Sequence, residues 1–122
     1  MKVDEQTANR LKINIGLDKS RKKGKVYKAL MPVVSDLVKQ TKKYINFYHQ
    51  QSKHVHAPNS AIGQILLCGG ESLLPGLSTI FSEELGLSVS LANPFLKVNL
   101  LKEFKGKSLG YVTAIGLALR EF

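Results

Sequence analysis

Apolar residues recur at three- and four-residue steps along much of the chain, and this spacing predicts amphipathic helices. The longest such pattern predicts a helix of about twenty residues with a single apolar stripe. The stripe contains Leu30, Val33, Val34, Leu37, Val38, Thr41, Tyr44, Ile45 and Tyr48. Pro32 is then expected in the first helical turn, where its missing N–H costs no intrahelical bond. The helix is expected to fray by Ser52.

Shorter helical patterns lie before and after the long one. Residues 4–15 predict a helix that Asp4 caps and Gly16 ends. Residues 77–85 predict another, which Gly86 closes. These glycines are natural helix stops because glycine readily adopts the left-handed conformation that ends a helix.

A final apolar pattern begins near Ser108, a good N-cap residue. Gly110 and Gly116 interrupt this predicted helix. A glycine inside a helix costs about 1 kcal/mol relative to alanine. We therefore expect both glycines to mark a close approach to another element, and we expect residues 95–107 to be mostly irregular.

Two short stretches predict strands. Residues 65–68 are wholly apolar, which suits a central strand buried on both faces. Residues 87–91 alternate between apolar and polar side chains, as a half-buried strand does, and residues 93–95 (NPF) end it. The order helix, helix, strand, helix, strand, helix predicts an α/β layer. Its glycine turn, residues 69–70, follows the first strand at the edge where open α/β sheets bind ligands.

The composition is that of one ordinary globular domain. The chain has 122 residues, of which 43% are hydrophobic and 22% charged. The single cysteine, Cys68, excludes an internal disulfide. No apolar run approaches the roughly 20 residues that a membrane-spanning helix needs, and the N-terminus lacks the apolar core of a signal peptide. We therefore expect a soluble cytoplasmic protein.

The net charge of +9 is less ordinary. Residues 16–25 form a predicted polar loop whose lysines and arginine cluster in residues 19–25 (KSRKKGK), and Lys39, Lys42 and Lys43 lie on the long helix. A solvated loop and a solvated helix face are the simplest interpretation. An anionic membrane surface or an acidic partner is the alternative. Nucleic acid is not expected, because no helix-turn-helix pattern is present and the aromatic residues are not interleaved with the basic runs.

Histidines suggest a metal site only weakly. His54 and His56 are two residues apart in a predicted connection, with no third ligand nearby in the sequence, and His49 lies on a polar helix face. We therefore predict no metal site.

The glycine turn is the strongest candidate for a binding site. Gly69 and Gly70 allow backbone conformations that other residues avoid, so the chain can lie against a ligand. Free N–H groups in such a turn, and at the start of the helix after Pro75, attract an anion. Leu73 and Leu74 offer an apolar surface suited to a base ring. From these residues alone, a tight connection without any ligand remains the favoured alternative.

Residues 67–77 (LCGGESLLPGL) resemble the adenosine motif of the actin-like ATPase superfamily, in which Gly-Gly and then Pro-Gly follow an apolar strand. Within that superfamily, the sequence is most similar to the PilM family of type IV pilus assembly proteins. Residues 85–89 (LGLSV) and 92–95 (ANPF) are similar to a PilM strand and its exit. Residues 114–120 (AIGLALR) resemble its closing helix, and residues 44–48 (YINFY) the helix before its adenosine strand.

This resemblance implies an α/β fold, the C-terminal part of the second lobe of an actin-like (ribonuclease H-like) ATPase, with a short sheet packed by helices. Residues 1–122 would be a single partial domain. Residues 1–60 would be its helical part with the basic loop, and residues 61–122 its strand-helix-strand-helix adenosine-motif part. The family's phosphate loops and Mg²⁺-binding aspartate have no match here. We therefore expect no hydrolysis by this chain alone and assign no catalytic residue.

The resemblance also implies a nucleotide site. Its residues would be Gly69, Gly70, Glu71, Leu73, Leu74, Lys12 and Asn9. The glycine pair would lie against the nucleotide and the two leucines would flank the base. Glu71 stands where relatives have a small residue, and it is expected to face the sugar or solvent because a carboxylate repels phosphates. Asn9 and Lys12 resemble an Ala-Glu-x-x-Lys motif that reaches the ribose and base, with Asn9 replacing the glutamate; a solvated helix lysine is the alternative for Lys12.

The function implied is that of an ATP-binding scaffold for pilus biogenesis, peripheral to the cytoplasmic side of the inner membrane, with Mg²⁺ bound in the complete protein. Its implied partners are pilus assembly proteins, including an inner-membrane protein of the PilN type. One alternative is an actin-like division protein of the FtsA type, which ends in a membrane-binding amphipathic tail. We do not expect such a tail, because the sequence ends at Arg120, Glu121 and Phe122. A small basic nucleic-acid-binding domain is the other alternative.

Overall fold

A computed structural model describes residues 2–52, 61–95 and 108–120. Its helices are α1 (Glu5–Asn14), α2 (Lys25–Ser52), α3 (Leu77–Leu85) and α4 (Val112–Ala118), and its strands are β1 (Gln64–Leu67) and β2 (Ser88–Leu91). Short 3-10 turns span Arg21–Gly24, Gly70–Leu73 and Ser108–Tyr111. The predicted order of helices and strands is confirmed. The predictions for His54 and His56 and for residues 96–107 lie outside the described residues.

The ends of α1 agree with the prediction. The carboxylate of Asp4 accepts a hydrogen bond from the backbone N–H of Thr7 at 3.2 Å, which satisfies one free donor of the first turn. Hydrogen bonding from Thr7 lowers the pKa of Asp4, because it favours the charged form. Gly16 follows the helix with a φ of +52°, so it ends α1 as predicted.

Helix α2 starts earlier than the sequence pattern indicated. It begins at Lys25, so Pro32 lies inside the helix and its placement in the first turn is wrong. The helix tolerates the lost N–H bond because Val26 is buried and Tyr27 packs against the core, which anchors the two turns before Pro32. Lys25 and Lys28 flank these two apolar residues and hid the start of the stripe.

The two strands form a parallel pair in which Ile65 is opposite Val89 and Leu67 is opposite Leu91. Helix α3 connects them, so the predicted βαβ arrangement is confirmed. The prediction that the first strand is buried on both faces is wrong. Leu67 packs against the core, but Leu66 points to the opposite face and keeps 60% of its surface exposed.

The core lies between α2, α3 and the sheet. Its buried cluster consists of Leu17, Val34, Val38, Leu77 and Phe81. Partly buried side chains from α2, both strands, α3 and the turn after β1 pack around this cluster. They include Leu30, Leu67, Leu74 and Val89. The structure is therefore mixed α/β, with a short parallel sheet packed by helices.

The C-terminal segment differs from its prediction in two ways. Ser108 belongs to a 3-10 turn, and the residue that precedes α4 is Tyr111, so Ser108 is not the N-cap of the α-helix. A Cβ added at Gly110 or Gly116 would meet nothing within 4 Å. The expected close approach at these glycines is therefore wrong for the described residues, because Gly110 is exposed in the 3-10 turn and Gly116 lies in α4, which has no buried residue.

Candidate functional site

The turn after β1 is shaped by one glycine and fastened by backbone bonds. Gly69 has a φ of +90°, which a residue with a Cβ rarely adopts. Its N–H donates to the carbonyl of Leu109 at 2.7 Å. The backbone N–H and the hydroxyl of Ser72 both donate to the Gly69 carbonyl. The turn is thus held from both sides before the chain reaches α3.

The end of α1 packs directly on the far side of this turn. The N–H of Leu17 donates to the carbonyl of Pro75 at 2.9 Å. A Cβ on Gly16 would lie 2.7 Å from Cδ of Pro75, and one on Gly76 would lie 3.1 Å from Cβ of Leu17. These glycines let two backbones touch, so α1 is fixed beside the glycine turn.

This packing creates a cavity of about 470 Å³ between α1 and the glycine turn. It is lined by Asn9, Lys12, Ile13, Gly70, Glu71, Leu73 and Leu74. Its volume lies within the range of small-molecule sites. The walls combine apolar side chains with one amide and one ion pair, which suits a flat, mostly apolar ligand with a few polar atoms.

An ion pair crosses the cavity. The ammonium of Lys12 lies 3.0 Å from Oε1 of Glu71, and the two side chains are 32% and 79% exposed. Lys12 is therefore paired with a carboxylate, so the alternative of a solvated helix lysine does not describe it. The positive charge of Lys12 is balanced locally, so the cavity has no strong attraction for an anion.

The structure brings together six of the seven residues that the sequence singled out. The exception is Gly69, whose N–H is already bonded to Leu109 and is not available to a ligand. The sequence analysis missed Ile13, an exposed side chain on the cavity wall. Its position one helical turn after Asn9 was the signal that could have found it.

Within the described ranges, no group of three or more His, Cys, Asp or Glu side chains could hold a metal ion. In the same ranges, no helix has both the length and the apolar character needed to cross a membrane.

Comparison with protein families agrees with the resemblance found in the sequence. A family model described as type IV pilus assembly protein PilM matches residues 2–122. The chain belongs to the PilM family. Membership supports a role in type IV pilus assembly, and the matched residues include both the cavity residues and the closing helix. No curated protein matches the sequence.

Proposed function

We propose that the cavity of this PilM-family chain binds the adenosine part of ATP, and that the chain belongs to an actin-like nucleotide-binding lobe. The observation that carries the proposal is the shared cavity. Asn9 and Lys12 come from α1, whereas Glu71, Leu73 and Leu74 follow the glycine turn far along the sequence. Two motifs that the sequence resemblance linked to one nucleotide, one in α1 and one after the glycine turn, thus line the same cavity.

The lining fits a nucleoside better than a phosphate. Ile13, Leu73 and Leu74 offer apolar contact for a base, and the amide of Asn9 can both donate and accept hydrogen bonds. The Glu71 carboxylate would repel a phosphate, and Lys12 is already paired with it. ATP bound here would contact both α1 and the residues that follow the glycine turn. We assign no hydrolytic step to this chain.

We further propose the scaffold role of the family for this chain, at the cytoplasmic side of the inner membrane and with pilus assembly partners that include a PilN-type protein. Family membership alone supports this part. An FtsA-type division protein is disfavoured by the same family match. A nucleic-acid-binding domain has only the net charge of +9 in its favour. A gel shift with mixed DNA and RNA at low salt tests it, and retarded bands that disappear as salt is added would support it.

Calorimetric titration of the full chain with adenosine, AMP and ATP tests the nucleotide site. We expect adenosine and ATP to bind with similar affinities, because the lining favours the nucleoside and not the phosphates. Leu73→Asp should weaken adenosine binding by about tenfold or more, since it places a charge on an apolar wall and that factor is worth about 1.4 kcal/mol. Leu73 is exposed, so the change should leave the core intact.

Leu119→Asp is the matched control, because Leu119 is equally an exposed leucine but lies beyond α4 and outside the cavity. It should bind adenosine like the unaltered chain. Equal affinities of the two aspartate variants, or no binding of adenosine at millimolar concentration, would contradict the proposal.

A further inference from the structure

A second cavity lies on the other side of α1 and has a volume of about 480 Å³. Thr7 and Leu11 of α1 line it, whereas Asn9 and Ile13 line the first cavity. A two-residue offset is about 200° around a helix, so the two cavities use opposite faces of α1. The second cavity is therefore separate from the proposed nucleotide site.

Three lysines form the rim of the second cavity: Lys22, Lys23 and Lys25. Among the ion pairs of the described residues, none involves these three side chains. The other cations of the same loop are occupied elsewhere. Lys19 lies over the ring of Tyr27, with 4.9 Å from its ammonium to the ring centroid, and Arg21 is 3.6 Å from the carboxylate of Asp18. Lysine charge at the rim is thus left without a carboxylate partner among the described residues.

The backbone that carries the rim is held in an uncommon conformation. Lys22 and Lys23 have φ values of +48° and +53°, in the left-handed region that residues with a Cβ seldom adopt. The carboxylate of Asp18 holds the start of this turn by accepting bonds from both the N–H and the hydroxyl of Ser20. Those bonds from Ser20, helped by the charge of Arg21, lower the pKa of Asp18.

The floor of the second cavity is apolar. Val26 is buried there, Leu11 is half-buried and Val3 is exposed at the edge. The carboxylates in the first turn of α1, those of Asp4 and Glu5, are not among the lining residues. A ligand that matches this cavity must therefore place an apolar group at the floor and negative charges at the rim.

An anionic membrane and an acidic peptide would both match the charge of the three lysines, and the concave shape of the cavity favours the peptide. A flat bilayer surface would contact the three lysines but leave the apolar floor unfilled, because its acyl chains lie beneath the headgroups. A peptide can insert a short apolar pair of side chains while flanking carboxylates reach the lysines. We propose that this cavity binds an acidic peptide segment of a partner protein, anchored by a short apolar pair of residues.

Fluorescence anisotropy of the full chain with a labelled hexapeptide, EELFEE, tests the proposal. We expect saturable binding that weakens with salt. The peptides KKLFKK and EEGGEE should bind much more weakly, since the first reverses the charge and the second removes the anchor. Lys22→Glu combined with Lys23→Glu should reduce the affinity for EELFEE by about tenfold or more.

The matched control is Lys39→Glu combined with Lys43→Glu, which changes the net charge equally on the exposed polar face of α2. It should lower the affinity by less than about threefold, through long-range electrostatics alone. An equal loss in both double variants would overturn the proposal, because binding would then be diffuse attraction. If the Lys22 and Lys23 charge reversal fails to fold, glycine at both positions removes the charge in a conformation that glycine prefers.

Two further measurements complete the test. Val3→Asp, at the exposed edge of the floor, should weaken EELFEE binding while leaving the circular dichroism spectrum unchanged. Vesicles of phosphatidylglycerol and of phosphatidylcholine test the membrane instead. Sedimentation with phosphatidylglycerol that depends on Lys22 and Lys23, together with no binding of EELFEE, would overturn the peptide proposal in favour of a lipid surface.

Discussion

Gly16 is, among the described glycines, the one where an added Cβ would come closest to another residue. It has a φ of +52°, and a Cβ added to it would lie 2.7 Å from Cδ and 2.8 Å from the carbonyl oxygen of Pro75. The contact joins the end of α1 to the glycine turn, and so it positions one wall of the nucleotide cavity against the other.

We predict that Gly16→Ala lowers the free energy of unfolding by about 2 kcal/mol or more, because it adds a backbone clash to an unfavourable left-handed conformation. Urea denaturation followed by circular dichroism measures the loss. Gly63→Ala is the control, since a Cβ there meets nothing within 4 Å and φ is not positive. A loss at Gly63 as large as that at Gly16 would contradict this account.

The two cavities differ in whether their lysines are paired with a carboxylate. In the first, Glu71 lies 3.0 Å from the ammonium of Lys12 and neutralises it. In the second, Lys22, Lys23 and Lys25 have no carboxylate partner among the ion pairs of the described residues. This difference is why we assign a nucleoside to one cavity and an acidic peptide to the other.

At the scale of elements, α4 is a helix with little packing support from the described residues. It has seven residues from Val112 to Ala118, none of them buried, and a Cβ added at its internal Gly116 would meet no atom of the described residues within 4 Å. The helix therefore carries the conformational cost of an internal glycine, and no contact with another described residue explains it.

We predict that Gly116→Ala raises the free energy of unfolding by about 0.5 to 1 kcal/mol, because alanine loses less backbone entropy than glycine in a helix. Thermal unfolding monitored by circular dichroism would show a higher midpoint. A lower midpoint would mean that a neighbour lies against Gly116 in solution. Thr113→Ala, at another exposed position of α4, serves as a comparison for helix propensity alone.

At the scale of the whole molecule, one side of α2 has no cover among the described residues. Val34 and Val38 are buried in the core, but Val33 and Tyr44 keep 72% and 75% of their surface exposed. Other large apolar side chains are also exposed on this helix: Leu37, Phe47 and Tyr48. Several exposed apolar side chains on one side of a helix favour association.

We predict that the chain self-associates at micromolar to millimolar concentration through this side of α2. Val33→Lys combined with Tyr44→Lys should shift sedimentation velocity profiles towards the monomer, because two charges would have to be desolvated in the contact. Asn46→Lys combined with Gln50→Lys adds the same charge on exposed positions of the opposite face and is the control. Unchanged profiles in the first variant, or the same shift in both, would contradict the prediction.

Most of the elements could be predicted from local pattern. The three-to-four-residue spacing identified α2 and α3, Asp4 and Gly16 marked the ends of α1, and alternation identified β2. Such signals are local, because they depend on helix and strand geometry and on which residues accept a positive φ. The family resemblance then pointed to Asn9 and Lys12, which no local pattern connects to the glycine turn.

Contacts between distant segments could not be predicted in the same way. Packing of Val26 and Tyr27 decided where α2 begins, and partial cover of the sheet left Leu66 exposed. The bond from Gly69 to Leu109 removed a donor that the turn had seemed to offer. Each depends on residues far apart in sequence, and burial or hydrogen bonding is settled only when the chain folds back on itself. The local sequence pattern thus specified most of the helices and strands. The packing of α1 against the glycine turn and against the start of α2 produced the two cavities.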